Sequence, residues 1–215
     1  MKISSKIIPA ILESNVKDFT DKLQKVYGLT DWVQIDIADG KFVNNKTFEL
    51  KELQNIEILN SFFVEAHLMV ESPENYFQDC QKLNFKRLIV HFEAVESLQK
   101  LLDLSKSFNF EIGIALNPQT PIESILNYLD KINTVVFLSV EPGFQGQKFI
   151  ESTLEKIKKL KEVNLKIKIE VDGGINMDNV KMVADAGADY LAVGSGLFDA
   201  KNVKERFVKL SEEIK

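Results

Sequence analysis

Alternation is the feature of this chain that most restricts its fold. Eight short runs rich in β-branched residues recur, each followed by a longer, more polar stretch: "KIIPAIL" (6–12), "WVQIDI" (32–37), "FFVEAHLM" (62–69), "RLIVHF" (87–92), "EIGIAL" (111–116), "TVVFLSV" (134–140), "KIKIEV" (166–171) and "YLAVG" (190–194). Strict strand–helix alternation implies a parallel sheet, because each crossover returns the chain to the end at which the next strand begins. Eight units fit a closed (β/α)₈ TIM barrel, an α/β fold that typically takes about 250 residues. An open doubly wound sheet would place a glycine-rich turn after its first strand. Here that strand runs into "ESNVKDF", which has no glycine, and the glycines gather after strands six, seven and eight. No linker, low-complexity tract or charge block divides the chain, so residues 1–215 read as a single (β/α)₈ barrel domain of eight strand–helix pairs.

The helical segments carry their own signals. "NVKDFTDKLQKVY" and "FIESTLEKIKKLKEV" space apolar residues for one buried face. "SPENYFQDCQKL" offers Ser72 as an N-cap with Pro73 at the first helical position. "NMDNVKMVADAG" predicts a helix from an N-cap Asn176 to a stop at Gly187.

Strand parity sorts the side chains. In a barrel the helix-facing residues must be apolar, and alternate residues face the interior. Val33, Ile35 and Ile37 therefore face the helices, which turns Gln34 and Asp36 inward. By the same parity Glu65 and His67 of strand three, and Lys168, Glu170 and Asp172 of strand seven, point inward. Glu65, Glu170 and Lys168 read as a charge layer that satisfies itself. Asp36, His67 and Asp172 fall near the C-terminal strand ends, where barrel enzymes keep their sites. Two carboxylates and an imidazole there would be costly to bury unpaired, and a divalent cation would satisfy all three. His91 also falls on an inward phase, without a partner legible in the sequence, and reads as structural.

A second group is made of glycines. "EPGFQGQ" (141–147), "DGGIN" (172–176) and "GSGLF" (194–198) follow strands six, seven and eight. Gly173, Gly174, Gly194 and Ser195 can present backbone N–H groups beside a short helix, the usual phosphate position of such barrels. The formal net charge of −5 argues against a general nucleic-acid binder. A single cysteine, Cys80, fits a reducing compartment. "MKISSKIIPAIL" has too short an apolar run for a signal peptide or membrane span. The expected location is the cytoplasm.

These residues resemble the ribulose-phosphate 3-epimerase family over essentially the whole length. The matching segments, in family order and spacing, are "DIADGKFV", "EAHLMVESPENY", "VHFEA", "LNPQTP", "SVEPGFQGQKFI", "EVDGGIN", "AGAD" and "VGSGLF". The resemblance implies an isomerase of carbohydrate metabolism, in the pentose phosphate pathway, that interconverts D-ribulose 5-phosphate and D-xylulose 5-phosphate by inverting C3. It implies that Asp36 is the proton acceptor and Asp172 the donor, and that both ligate a metal with His67. It implies substrate or phosphate contacts from His67, Gly143, Phe144, Gln145, Gly146, Gly173, Gly174, Gly194 and Ser195. One divalent ion (Zn, Mn, Fe, Co or Mg) is the implied cofactor and a phosphorylated ketose the implied partner. Members often form dimers or larger assemblies, which is the sole basis for expecting a homo-oligomer.

The chain departs from the family pattern at several positions. Gln34 stands where the family has a metal-binding histidine, Ala10 for a substrate-contacting serine, Lys41 for a histidine, Ala38 for a methionine and Gln145 for a glycine. Either Gln34 ligates through its amide oxygen, which favours Mn²⁺ or Mg²⁺ over Zn²⁺, or it only hydrogen-bonds Asp36. The alternatives to the pentose activity are an epimerase of a six-carbon ketose phosphate, such as allulose 6-phosphate, and a catalytically degenerate barrel that binds a phosphosugar.

Overall fold

A computed structural model describes residues 5–215. Eight parallel strands close on themselves in the order β1 to β8. They are β1 (Lys6–Ile11), β2 (Trp32–Ala38), β3 (Phe63–Met69), β4 (Arg87–His91), β5 (Glu111–Leu116), β6 (Thr134–Leu138), β7 (Lys168–Asp172) and β8 (Tyr190–Val193). The barrel is closed by β1 pairing with β8, Ile7 opposite Leu191 and Pro9 opposite Val193. Outward residues of the strands, among them Val33, Ile35, Val64, Leu88, Val135 and Ile169, are buried in one continuous core beneath the outer elements. Each such aliphatic side chain contributes about 1.5–3 kcal/mol on burial, which is why the parity of every strand is fixed.

The outer layer contains α1 (Val16–Val26), α2 (Phe77–Lys82), α3 (Leu98–Ser105), α4 (Thr153–Val163), α5 (Val180–Asp185), α6 (Ser195–Phe198) and α7 (Val203–Glu213). Helix α1 shows how the sequence specifies one of them. The Asn15 side chain caps its start by accepting from the Asp18 N–H at 3.0 Å. Phe19, Leu23 and Val26 form its buried stripe, and Gly28 reverses the chain just beyond it at φ +73°.

The expected eight strand–helix pairs require correction. The crossovers from β2 to β3 and from β5 to β6 contain only 3₁₀ turns, at Leu50–Leu53 and Glu57–Ser61, and at Ile122–Ser124 and Leu126–Tyr128. Ser72 does not cap with its side chain; it takes a left-handed conformation and leads into a 3₁₀ turn ahead of α2. Regular helix after β7 starts at Val180 rather than next to Asn176, because Asn176 first closes a turn by accepting from the Asp178 N–H.

The barrel interior is filled in layers. At the bottom, Arg87 donates from Nη1 to Glu65 at 2.7 Å and to Glu170 at 3.3 Å, and from Nε to Glu111 at 3.3 Å. Its guanidinium lies over both the Trp32 and Tyr190 rings, 4.7 Å from each centroid. Burial pushes both Glu65 and Glu170 above the usual carboxylate range. Lys168 is not part of this layer. It sits at the bottom rim, half exposed, and pairs with Asp189 at 2.8 Å. Above Arg87, the residues Ile89, Ala115, Val136 and Leu138 form a buried apolar plug. That plug is the floor on which the polar residues of the upper end stand.

Candidate active site

Register builds the site. In the β2–β3 ladder Asp36 lies directly opposite His67, and Gln34 opposite Glu65. Barrel closure brings Asp172, at the end of β7, to the same point. His67 Nδ1 lies 3.1 Å from Asp36 Oδ1 and 3.2 Å from Asp172 Oδ2. The Gln34 amide Nε2 donates to the same two oxygens at 2.8 Å each. One ring nitrogen and one amide nitrogen thus clamp two carboxylates that would otherwise repel each other.

The electrostatics follow from this packing. Burial raises Asp36 above the ordinary carboxylate value, opposed by its hydrogen bond from His67. Burial alone would lower His67, but the hydrogen bonds to Asp172 and Asp36 outweigh it and raise the imidazole to about 10. His67 Nε2 lies 2.8 Å from His91 Nε2, and the two rings stack with centroids 5.0 Å apart. His91 thus has a partner after all.

The residues fit a metal ion. Ligand atoms of Asp36, His67 and Asp172 all lie within 4.8 Å of one another. Beside them Gln34 Oε1 is buried without a hydrogen-bond partner. The donor set of two carboxylates, one imidazole and one orphaned amide oxygen suits a divalent cation. Gln34 turns Nε2, not Oε1, toward the carboxylates. Rotation of the amide about its last bond would exchange the two atoms.

A cleft opens above this cluster. Gly143, Phe144, Gln145, Gly146, Gly173, Gly174, Gly194 and Ser195 all line it, together with Asp36, His67 and Asp172. Gly173 and Gly174 follow β7 with φ of +113° and +64°. A Cβ at Gly173 would lie 2.4 Å from Val140, and one at Gly174 would lie 2.7 Å from the Phe149 nitrogen, so the turn admits no side chain. Phe144 is 54% exposed at the mouth. The Asn45 side chain donates to the Gly143 carbonyl at 2.7 Å, which ties the β2 loop to the β6 loop over the cleft. The departures at positions 10 and 145 meet here: Gln145 Nε2 reaches toward the Ala10 carbonyl at 3.4 Å and packs against Gly194. Lys41 stays on the exposed β2 loop, while Ala38 is buried with Met69 and Val43.

Strand parity points to Gln34, Asp36, His67 and Asp172, and glycine clustering to Gly173, Gly174, Gly194 and Ser195; Ala10, Ala38, Lys41, Phe144 and Gln145 are marked only by the family resemblance, and Asn45 by neither. What they missed is the support behind His67: His91, Asn117 and Glu93. The available signal was the inward phase of His91 within "VHFEA".

Comparisons with known proteins give the family. The ribulose-phosphate 3 epimerase family matches residues 6–198. A ribulose-phosphate 3-epimerase of Aquifex aeolicus is 35% identical over 209 residues, covering 95% of this chain and 94% of the relative. Its counterpart in Bacillus subtilis is 34% identical over 206 residues, with 93% and 95% covered. Among solved structures, 3-hexulose-6-phosphate synthase from Salmonella typhimurium superposes with a TM-score of 0.75 at 18% identity, covering 97% of this chain and 98% of that one. At that identity the likeness speaks for the barrel fold alone. No helix among the described residues is long and apolar enough to cross a membrane.

Proposed function

This chain belongs to the ribulose-phosphate 3 epimerase family and is an isomerase, and from that premise we propose that Asp36 and Asp172 carry its proton transfer at C3 of ribulose 5-phosphate. The observation that carries the reading is their convergence: they rise from β2 and β7 yet share the same two donors, His67 Nδ1 and Gln34 Nε2. Inverting a carbon beside a ketone needs a base on one face of the planar enediolate and an acid on the other. Carboxylates on separate strands supply one for each face. Asp36 accepts the C3 proton of ribulose 5-phosphate and Asp172 delivers one to the opposite side; the reverse reaction exchanges the roles. His67 and Gln34 hold the two oxygens in place, and the apolar plug of Ile89, Val136 and Leu138 excludes water from below.

Asp36, His67 and Asp172 would hold a divalent cation. When bound, such an ion supplies Lewis-acid stabilisation of the developing oxyanion. The turn at Gly173 and Gly174 and the start of α6 at Gly194 and Ser195 take the phosphate through backbone N–H groups. In this reading residues 1–215 act as one domain in a reducing compartment such as the cytoplasm, which the buried free thiol of Cys80 suits. A coupled assay of xylulose 5-phosphate formation, with each metal added in turn and allulose 6-phosphate as the competing substrate, tests the assignment. Turnover only of the six-carbon ketose, or of neither, would overturn it.

The phosphate contacts carry an expected result of their own. Two charge-assisted hydrogen bonds contribute about 3 kcal/mol or more. Free ribulose should therefore react at least about 100-fold less efficiently in kcat/KM than ribulose 5-phosphate. Equal efficiency would remove the phosphate from this end of the cleft.

Gln34 gives a second test. A neutral amide is a weaker ligand than imidazole for Zn²⁺. Gln34→His should raise Zn²⁺ affinity by about 10-fold or more, the scale at which even supporting residues act. Gln34→Leu should lower Mn²⁺ affinity. Calorimetric titration of the three proteins with both ions reads this directly. An unchanged metal preference across all three would show that position 34 is a clamp for the carboxylates and not a ligand.

A further inference from the structure

Two of the segments noted in the sequence, "VHFEA" and "LNPQTP", have no part in the chemistry above. They meet behind His67. His91 ends β4 and Asn117 follows β5, and His91 Nδ1 lies 3.0 Å from Asn117 Oδ1 and 3.6 Å from Glu93 Oε2. Glu93 is itself held, accepting from the Asn117 N–H at 2.9 Å and from the Thr120 hydroxyl. His91 is fully buried, with Phe42 packed on its ring at 4.8 Å.

We propose that His91, fixed by Asn117 and Glu93, is a positioning residue that sets the tautomer of His67 and so aims its Nδ1 lone pair at the metal position between Asp36 and Asp172. The hydrogens along the line from Asn117 to Asp36 can be counted. His91 Nδ1 faces two oxygens, one of them a carboxylate that only accepts, so Nδ1 carries hydrogen. The two facing Nε2 atoms, 2.8 Å apart, have room for one hydrogen between them. A neutral His91 with hydrogen on Nδ1 has a bare Nε2, so His67 must donate from its own Nε2. With that nitrogen committed, Nδ1 is the atom of His67 left for the carboxylates or for a cation. Ligand histidines generally have the second nitrogen held in this way; here the holder is another imidazole, itself oriented from the next strand.

The proposal rests on reading Asp36, His67 and Asp172 as a metal site, but its first test does not. Two-bond ¹⁵N–¹H correlation spectra of the metal-free protein should show His91 neutral with hydrogen on Nδ1. Hydrogen on Nε2 of His91 would overturn the proposal whatever the metal does. The second test is calorimetric titration with Mn²⁺ of folded variants. His91→Phe, which cannot accept from His67, should lose about 10–100-fold in Mn²⁺ affinity. His91→Gln places an amide oxygen near the lost Nε2 and should recover most of it. Asn117→Leu, which touches no metal-site residue, should mix the His91 tautomers and weaken Mn²⁺ binding in the same direction. Equal affinity in wild type and His91→Phe would refute the positioning role. Failure of the wild type itself to bind Mn²⁺ or Zn²⁺ would instead refute the metal site.

Discussion

Replacing Asp36 or Asp172 by asparagine should abolish nearly all epimerisation and leave the barrel folded. A general acid or base contributes about 10²–10⁴-fold, and each of these residues is also placed to ligate the cation, so the loss should reach the upper end of that range. The shape change is minimal and the site stands on an apolar plug formed by other residues, Ile89, Ala115, Val136 and Leu138. Secondary structure and melting temperature should therefore change little. The two variants should also fail differently. With Asp36 intact, Asp172→Asn can still remove the C3 proton of ribulose 5-phosphate and return one to the same face. It should exchange the substrate's hydrogen with solvent faster than it forms xylulose 5-phosphate. A variant that retains turnover within about tenfold of wild type would show that its residue is not one of the two bases.

The second large effect is on stability, at the opposite end of the barrel. Arg87→Ala removes the one cation among the buried carboxylates Glu65 and Glu170 and the group packed over the Trp32 and Tyr190 rings. Breaking a buried ion pair by deleting one partner typically costs about 3–5 kcal/mol, because the remaining charges stay buried without compensation. That is a large share of the stability of an ordinary domain. The combined variant Arg87→Met, Glu65→Gln, Glu170→Gln should recover much of the loss, since no unpaired charge remains. Urea unfolding of the three proteins measures this. A cost below about 1 kcal/mol for Arg87→Ala would show that the layer is not held by its charge pairing.

The sequence carried some of this architecture in a form that parity can read. Asp36, His67 and Asp172 were legible because apolar neighbours fix the outward face, which leaves them no other direction. The glycine turns were legible because Gly173 and Gly174 occupy backbone conformations closed to side chains. The failures share a cause in long-range closure. Lys168 has the inward parity of its strand, but it is the first residue of β7, where a long side chain escapes over the rim to Asp189. Arg87 opens β4 and reads as a boundary residue until the barrel closes around it. His91 is separated from Asn117 by 26 positions, so its inward phase is legible locally but its partner is not. The 3₁₀ crossovers were hidden because a single apolar face is needed whether the covering segment winds as an α-helix or in shorter turns.

The central claim is that one carboxylate serves each face of C3. It is tested most directly by running the wild-type reaction in deuterated water and reading C3 of the xylulose 5-phosphate formed at low conversion by NMR. Two monoprotic bases require the incoming hydrogen to come from the residue that has equilibrated with solvent, so essentially every product molecule should carry deuterium at C3. Product that keeps the substrate's own hydrogen would mean that a single group carries the proton across, and the division of labour between Asp36 and Asp172 would be contradicted.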